Sequence, residues 1–223
     1  MALSTAVSLL AGVAFGLALA APPGPMNAII AEESVLRGWT AGFRAGLGAM
    51  AADLVFFLLA LVGLVTVVER SPTLRGVMVT VGGLLMLYFA VDAARNTRAT
   101  LAGETAGDGS GFSRAFLLSL TNPYQILFWL TVGVALLDTG RLDVFAALPG
   151  EPLERRVVVE TGSPVLLAGL FLGIGVWIVS FPAALVSLGD RTETVTPVVA
   201  AASALVLAGF GAVFLWDGLE VLV

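Results

Sequence analysis

The chain contains no cysteine, no histidine and no lysine among its 223 residues. Without cysteine there is no disulfide, no thiolate ligand and no thiol redox step. Without histidine the commonest metal ligand is missing, and with it the commonest proton shuttle near neutrality. The eleven basic residues are all arginines and are outnumbered by sixteen acids, for a net charge of −5. A basic patch for nucleic acid is not on offer. Charge of either sign is scarce, at 12% of residues, where a soluble domain carries roughly 25%. Lysine-free, acid-rich loops fit a high-salt habitat and high-GC codon usage equally well.

What remains is apolar. Hydrophobic residues make up 58% of the chain, and mean hydropathy is +1.01. A spanning helix needs roughly 20 apolar residues. Six stretches qualify, at about 4–31, 39–68, 73–93, 113–137, 164–189 and 197–219. The expected fold is therefore an all-α, multi-pass protein of the cell membrane, in contact with lipid, with loops too short for a soluble catalytic domain. The 26 glycines suit closely packed helices. Ala18-Leu19-Ala20 resembles a signal-peptide cleavage site, but the first basic residue is Arg37, so residues 1–21 read as part of the first span.

A polar, Gly- and acid-rich segment at 94–112 divides the spans three and three, giving units 1–93 and 113–223 around a flexible linker. Three spans per unit is odd, so the second unit enters from the opposite side, as in transporters built from inverted repeats. A second long segment, 138–163, carries Asp138, Asp143, Glu151, Glu154 and Glu160 against Arg141, Arg155 and Arg156. Arg37, Arg44, Arg95, Arg98, Arg114 and Arg191 fall on the other side, six arginines against five. The count is nearly even; the arginines flanking the central linker and the acidity of 138–163 lean towards both termini outside.

Both units open on a broken helix. Pro22-Pro23-Gly24-Pro25 interrupts the first span and Asn122-Pro123 the fourth. Proline has no N–H and clashes with the preceding turn. Backbone groups freed at membrane depth need protein, water or a ligand. Paired breaks in matching positions are the best sequence pointer to a transporter's binding site. Pro23, Gly24 and Pro25 leave a helix N-terminus suited to a carboxylate. Upstream, the carbonyls of Ala18 and Leu19 lose their donors and suit an ammonium group or a cation. An ordinary packed kink is the plainer alternative. Asn27 and Asn122 bring amides that donate and accept, for a ligand or for capping the broken ends. Asp53 is the one acid well inside an apolar run, Leu47 to Val68. An ionisable group there is a functional-site candidate, here a carrier of a proton or cation. The plainer reading is a structural acid bonded to a neighbouring hydroxyl or to Arg44.

Asp92 and Asp217 end spans three residues after Phe89 and Phe214 and read as water-facing. Glu32 and Glu33 end the first span and read as solvated. Gly38/Gly42/Gly46, Gly12/Gly16 and Gly169/Gly173 read as helix contacts, not nucleotide fingerprints. Trp39 fits an interfacial anchor, whereas Trp129 and Trp177 fall deeper. Enzymes of two kinds are disfavoured: Ser–His chemistry lacks its base, and an aspartyl dyad lacks its second acid. No cofactor or metal site is implied, because borderline metals lack ligands and one deep acid does not make a hard-cation cage.

These residues resemble the lysine-exporter (LysE/RhtB-type) family of amino-acid exporters over nearly the whole length. The resemblance rests on Pro23-Gly24-Pro25-Met26-Asn27-Ala28, on Gly38, Gly42, Gly46 and Gly48 with Asp53, and on Phe112 with Asn122-Pro123. It implies ion-driven efflux of a small amino acid or related zwitterion, with proton or sodium as the coupling ion. It also implies roles for Pro23, Gly24, Pro25, Asn27, Asp53, Asn122 and Pro123, and is compatible with a homo-oligomer. Members often carry a basic residue after the Asn-Pro, where this chain has Tyr124, and the acidic 138–163 segment is unusual. A cation exporter of the same superfamily and a non-transporting scaffold are the alternatives.

Overall fold

The computed structural model describes residues 2–63, 70–101, 110–143, 158–189 and 194–222. Helix α1 (Ala2–Ala20) stops where Pro22 and Pro23 withhold their amides, and α2 (Pro25–Arg37) restarts on a proline. At the first helical position a missing N–H costs nothing. The two segments meet at 83°. Gly38 turns α2 directly into α3 (Trp39–Leu61), with a φ of +84° that favours glycine and its N–H donating to the Ser34 carbonyl at 2.9 Å. Helix α4 spans Pro72–Leu101. The second break separates α5 (Gly111–Thr121) from α6 (Pro123–Leu137) at 57°, and α6 carries a π-helical turn at Trp129–Gly133. Helices α7 (Pro164–Gly189) and α8 (Val195–Leu222) complete the bundle. Helices α3, α4, α7 and α8 are each long and apolar enough to cross a membrane, and the total is six if each bent pair is one span.

Two features differ from the compositional reading. Helix α4 continues to Leu101, past the expected boundary at 93/94, because Ala93, Ala94 and Arg95 favour helix however polar the stretch is. The core of the expected linker, 102–109, lies outside the described residues, as do Glu151, Glu154, Arg155, Arg156 and Arg191. The 138–163 segment is not all loop. Strands β1 (Gly140–Asp143) and β2 (Val158–Thr161) pair antiparallel, with Arg141 opposite Glu160, and are the only strands among the described residues. Val158 and Val159 supply β-branched residues, and Val159 is buried.

Packing follows the glycines. A Cβ at Gly12 or Gly16 of α1 would strike the main chain of α7 at Leu166 or Leu170. Gly48 of α3 lies against the Phe112 main chain of α5, and Gly83 of α4 against Gly211 of α8. Helix α1 therefore pairs with α7, α5 with α3, and α4 with α8. Exchanging the two halves of the chain maps this set of pairs onto itself. Gly48→Val is expected to force α3 from α5 at a cost of about 3 kcal/mol, lowering the thermal midpoint by about 6–12 °C. Gly175→Ala, whose Cβ would enter open space, is the control that leaves the midpoint unchanged.

Candidate functional site

Both helix breaks open on one cavity of about 440 Å³. Pro23, Gly24, Pro25 and Asn27 line it from the first break, Asn122 from the second, and Asp53 from α3. Of the residues expected at the site, Pro123 alone is not in the lining; it starts α6 and so shapes the second break. The volume falls in the range of small-molecule sites, about 300–1,000 Å³. Ile30, Ile174, Ile178, Phe128 and Phe210 make much of the wall apolar.

The two restarted helices present their N-termini differently. At α6, Asn122 Oδ1 accepts from the Tyr124 N–H at 3.0 Å, while Gln125 and Ile126 both donate to the Asn122 carbonyl. The second break is thus satisfied from within, and Asn122 acts as a cap. At α2 the cap position is Gly24, with no side-chain bond, and the first amide that finds a carbonyl is that of Ala28, to Gly24. The N–H groups of Met26 and Asn27 are left without acceptors among the described residues. Just across the break, Ala18 and Leu19 line the cavity, and Pro22 and Pro23 give their carbonyls no helical donor. One break therefore offers a positive and a negative end.

Asn27 holds that break together. Its Nδ2 donates to the carbonyls of Ala20 at 2.7 Å and Pro22 at 2.8 Å, and its Oδ1 accepts from Trp177 Nε1 at 3.0 Å. The amide thus holds the geometry of the break, as a capping residue does, while the residue also lines the cavity. Trp177, deep in α7, finds its place here, and its ring stacks on Phe181 at 4.9 Å.

Asp53 is 4% exposed. Its partners are neither a hydroxyl nor Arg44. Gln125 Nε2 and Trp129 Nε1 both donate to Oδ1, the latter at 2.8 Å, which leaves Oδ2 with no hydrogen bond among the described residues. Gln125 sits two residues after Pro123, as Asn27 does after Pro25. Each amide is thus held by a residue of the opposite half: Gln125 by Asp53, Asn27 by Trp177. Tryptophan N–H groups in a membrane protein need acceptors; Trp129 finds one in Asp53 and Trp177 one in Asn27, and the sequence signalled the need but not the partner.

Two expectations fail. Glu32 and Glu33 are not solvated but 0% and 1% exposed. Arg114, counted among the loop arginines, is buried between them. The apolar run of α2 continues through these acids because α5 supplies their counter-charge. Trp39, by contrast, is 38% exposed, stacks on Phe43 and donates to the Val179 carbonyl at 3.0 Å, which suits an anchor. Among the described residues no group of three acidic, His or Cys side chains is placed to hold a metal ion.

Four helices of spanning length and two bent helix pairs whose breaks meet at one cavity define a multi-pass membrane protein. The chain belongs to the LysE type translocator family, whose model matches residues 17–150. It is 32% identical over 120 residues to the leucine efflux protein of Salmonella typhimurium strain LT2, covering 52% of this chain and 57% of that protein. The putative amino acid efflux protein YcgF of Bacillus subtilis strain 168 is 32% identical over 124 residues, covering 54% and 59%. The chain thus spans under two thirds of the length of the curated relatives it matches. No solved structure matches it.

Proposed function

We propose that this protein is a secondary exporter of a neutral amino acid with an apolar side chain, working by alternating access in the cell membrane. The observation that carries this reading is the convergence of both helix breaks and Asp53 on one cavity. The free amides at the start of α2 take the substrate carboxylate. The carbonyls at the end of α1 take the ammonium group. Ile30, Ile174 and Phe210 form an apolar wall for the side chain. The relatives' names, leucine efflux and amino acid efflux, agree with a small amino acid as cargo. Asp53, with one oxygen held and the other free, is the site of the coupling ion. The exchange-symmetric pairing of α1 with α7 and α5 with α3 supports two inverted three-helix repeats that rock about the cavity.

The test is counterflow in proteoliposomes preloaded with an amino-acid panel. Saturable exchange of leucine-like substrates, with arginine and aspartate excluded, is the expected result. An inserted, monodisperse protein that exchanges no amino acid overturns the proposal.

A further inference from the structure

The central cavity does not use the largest concentration of buried charge among the described residues. Arg114 of α5, 3% exposed, reaches Glu32 Oε2 at 2.9 Å and Glu33 Oε1 at 3.3 Å, both on α2. Asp92 of α4 stands 3.7 Å from the same guanidinium, which also lies over the Phe89 ring, 5.0 Å from its centroid. Arg37 closes on Glu33 at 3.1 Å. Ser119 Oγ of α5 donates to Met26 Sδ of α2 at 2.9 Å, nearer the breaks.

Position along α3 shows what these groups separate. Ala49 and Asp53 line the central cavity. One turn earlier, Ala45 lies beside Gly111, where a Cβ would meet Glu33 Cδ at 2.9 Å. Beyond that level a second, polar cavity of about 360 Å³ is lined by Glu33, Arg37, Arg44, Gly111 and Ser113. The ion-pair network therefore lies between two cavities, with Glu33 belonging to both the network and the outer cavity.

We propose that Glu32, Glu33 and Arg114 form the gate that closes the central cavity toward the end of the bundle where α2 turns into α3. Its two sides ride on the two segments that abut the helix breaks: α2 begins at the first, and α5 ends at the second. A swing of either segment about its break separates Arg114 from the glutamates. The second cavity is the vestibule into which the parted charges open, where water replaces the lost partners. A fixed anchor would be built more cheaply from apolar side chains, since buried ion pairs carry a desolvation cost that pairing barely offsets. That near balance is what a gate requires. Arg114 Nε, buried and without an acceptor among the described residues, further limits how firmly the closed form is held.

The proposal rests on reading the central cavity as the cargo site, so its test avoids cargo. The native chain has no cysteine, and Ala49→Cys alone reports on the central cavity. A membrane-impermeant maleimide, applied from the α2–α3 face of reconstituted vesicles, is expected to label it slowly. Arg114→Gln is expected to raise that rate by about tenfold or more, the shift that losing a single strong pair makes in a two-state equilibrium. Arg114→Gln leaves the buried Glu32 carboxylate unpaired, while Glu33 keeps Arg37, and the variant can fail to fold. The triple variant Glu32→Gln, Glu33→Gln, Arg114→Gln leaves no buried charge among the three and reads the same acceleration. Ser113→Cys, in the outer cavity, is expected to label rapidly in every background. An unchanged labelling rate for the Ala49→Cys thiol in either folded variant overturns the gate. Because no amino acid is present, faster labelling in a protein inactive in counterflow keeps the gate and rejects only the cargo.

Discussion

Asp53→Asn is expected to abolish uphill efflux, by about 100-fold or more, in a protein that still folds. The substitution is close to isosteric, and the amide oxygen can still accept from Gln125 and Trp129, the two bonds made by Oδ1. Removing a buried hydrogen bond to a charge costs about 1.5–3 kcal/mol, and here both bonds keep an acceptor. What disappears is the negative charge. The expected pattern is a small change in thermal midpoint with complete loss of concentrative transport. Counterflow then separates the coupling ions. If a proton is carried, asparagine imitates the protonated acid and exchange continues. If a metal cation is carried, its ligand is gone and exchange stops as well. Undiminished uphill transport by a correctly inserted Asp53→Asn protein assigns Asp53 a structural role and ends the coupling proposal.

The double substitution Pro23→Ala, Pro25→Ala is expected to lose counterflow entirely while insertion is retained. Proline inside a helix costs about 3 kcal/mol or more, so removing two shifts the balance strongly towards a straighter helix. The restored amide at residue 23 can bond the Leu19 carbonyl, and that at residue 25 the Ala21 carbonyl. The 83° bend between α1 and α2 then has less to maintain it, and the free amides of Met26 and Asn27 are drawn into helical bonds. The amide end of the proposed ligand site is then lost, and the Leu19 carbonyl is withdrawn from the other end. Wild-type counterflow in this variant removes the half-helix site from the argument.

How much of this was legible in the sequence depended on how local the physics was. The two breaks are written in prolines, whose effect on their own helix needs no tertiary information. Asp53 was visible as an ionisable residue in apolar surroundings. Its partners were not, because Gln125 and Trp129 reach it across 72 and 76 residues of chain. The glutamates at 32 and 33 failed for the same reason. Two adjacent acids at the end of an apolar run look solvated until a third helix brings Arg114 between them. Asn27 was read as open to capping or ligand contact, and the bond it accepts from Trp177, 150 residues away, was not legible. Composition failed at Leu101, where local helix propensity carried α4 into a segment whose polarity suggests a linker.

The uncapped start of α2 bears on how such a protein changes over evolutionary time. The groups it presents are main-chain amides and carbonyls, which most point mutations leave in place. The side-chain wall of Ile30, Ile174 and Phe210 has no such protection and can be enlarged, narrowed or made polar one residue at a time. In the proposed site, recognition of the common head of an amino acid and recognition of its variable tail are thereby inherited separately. A lineage can retune its cargo by single steps without passing through a form that binds nothing.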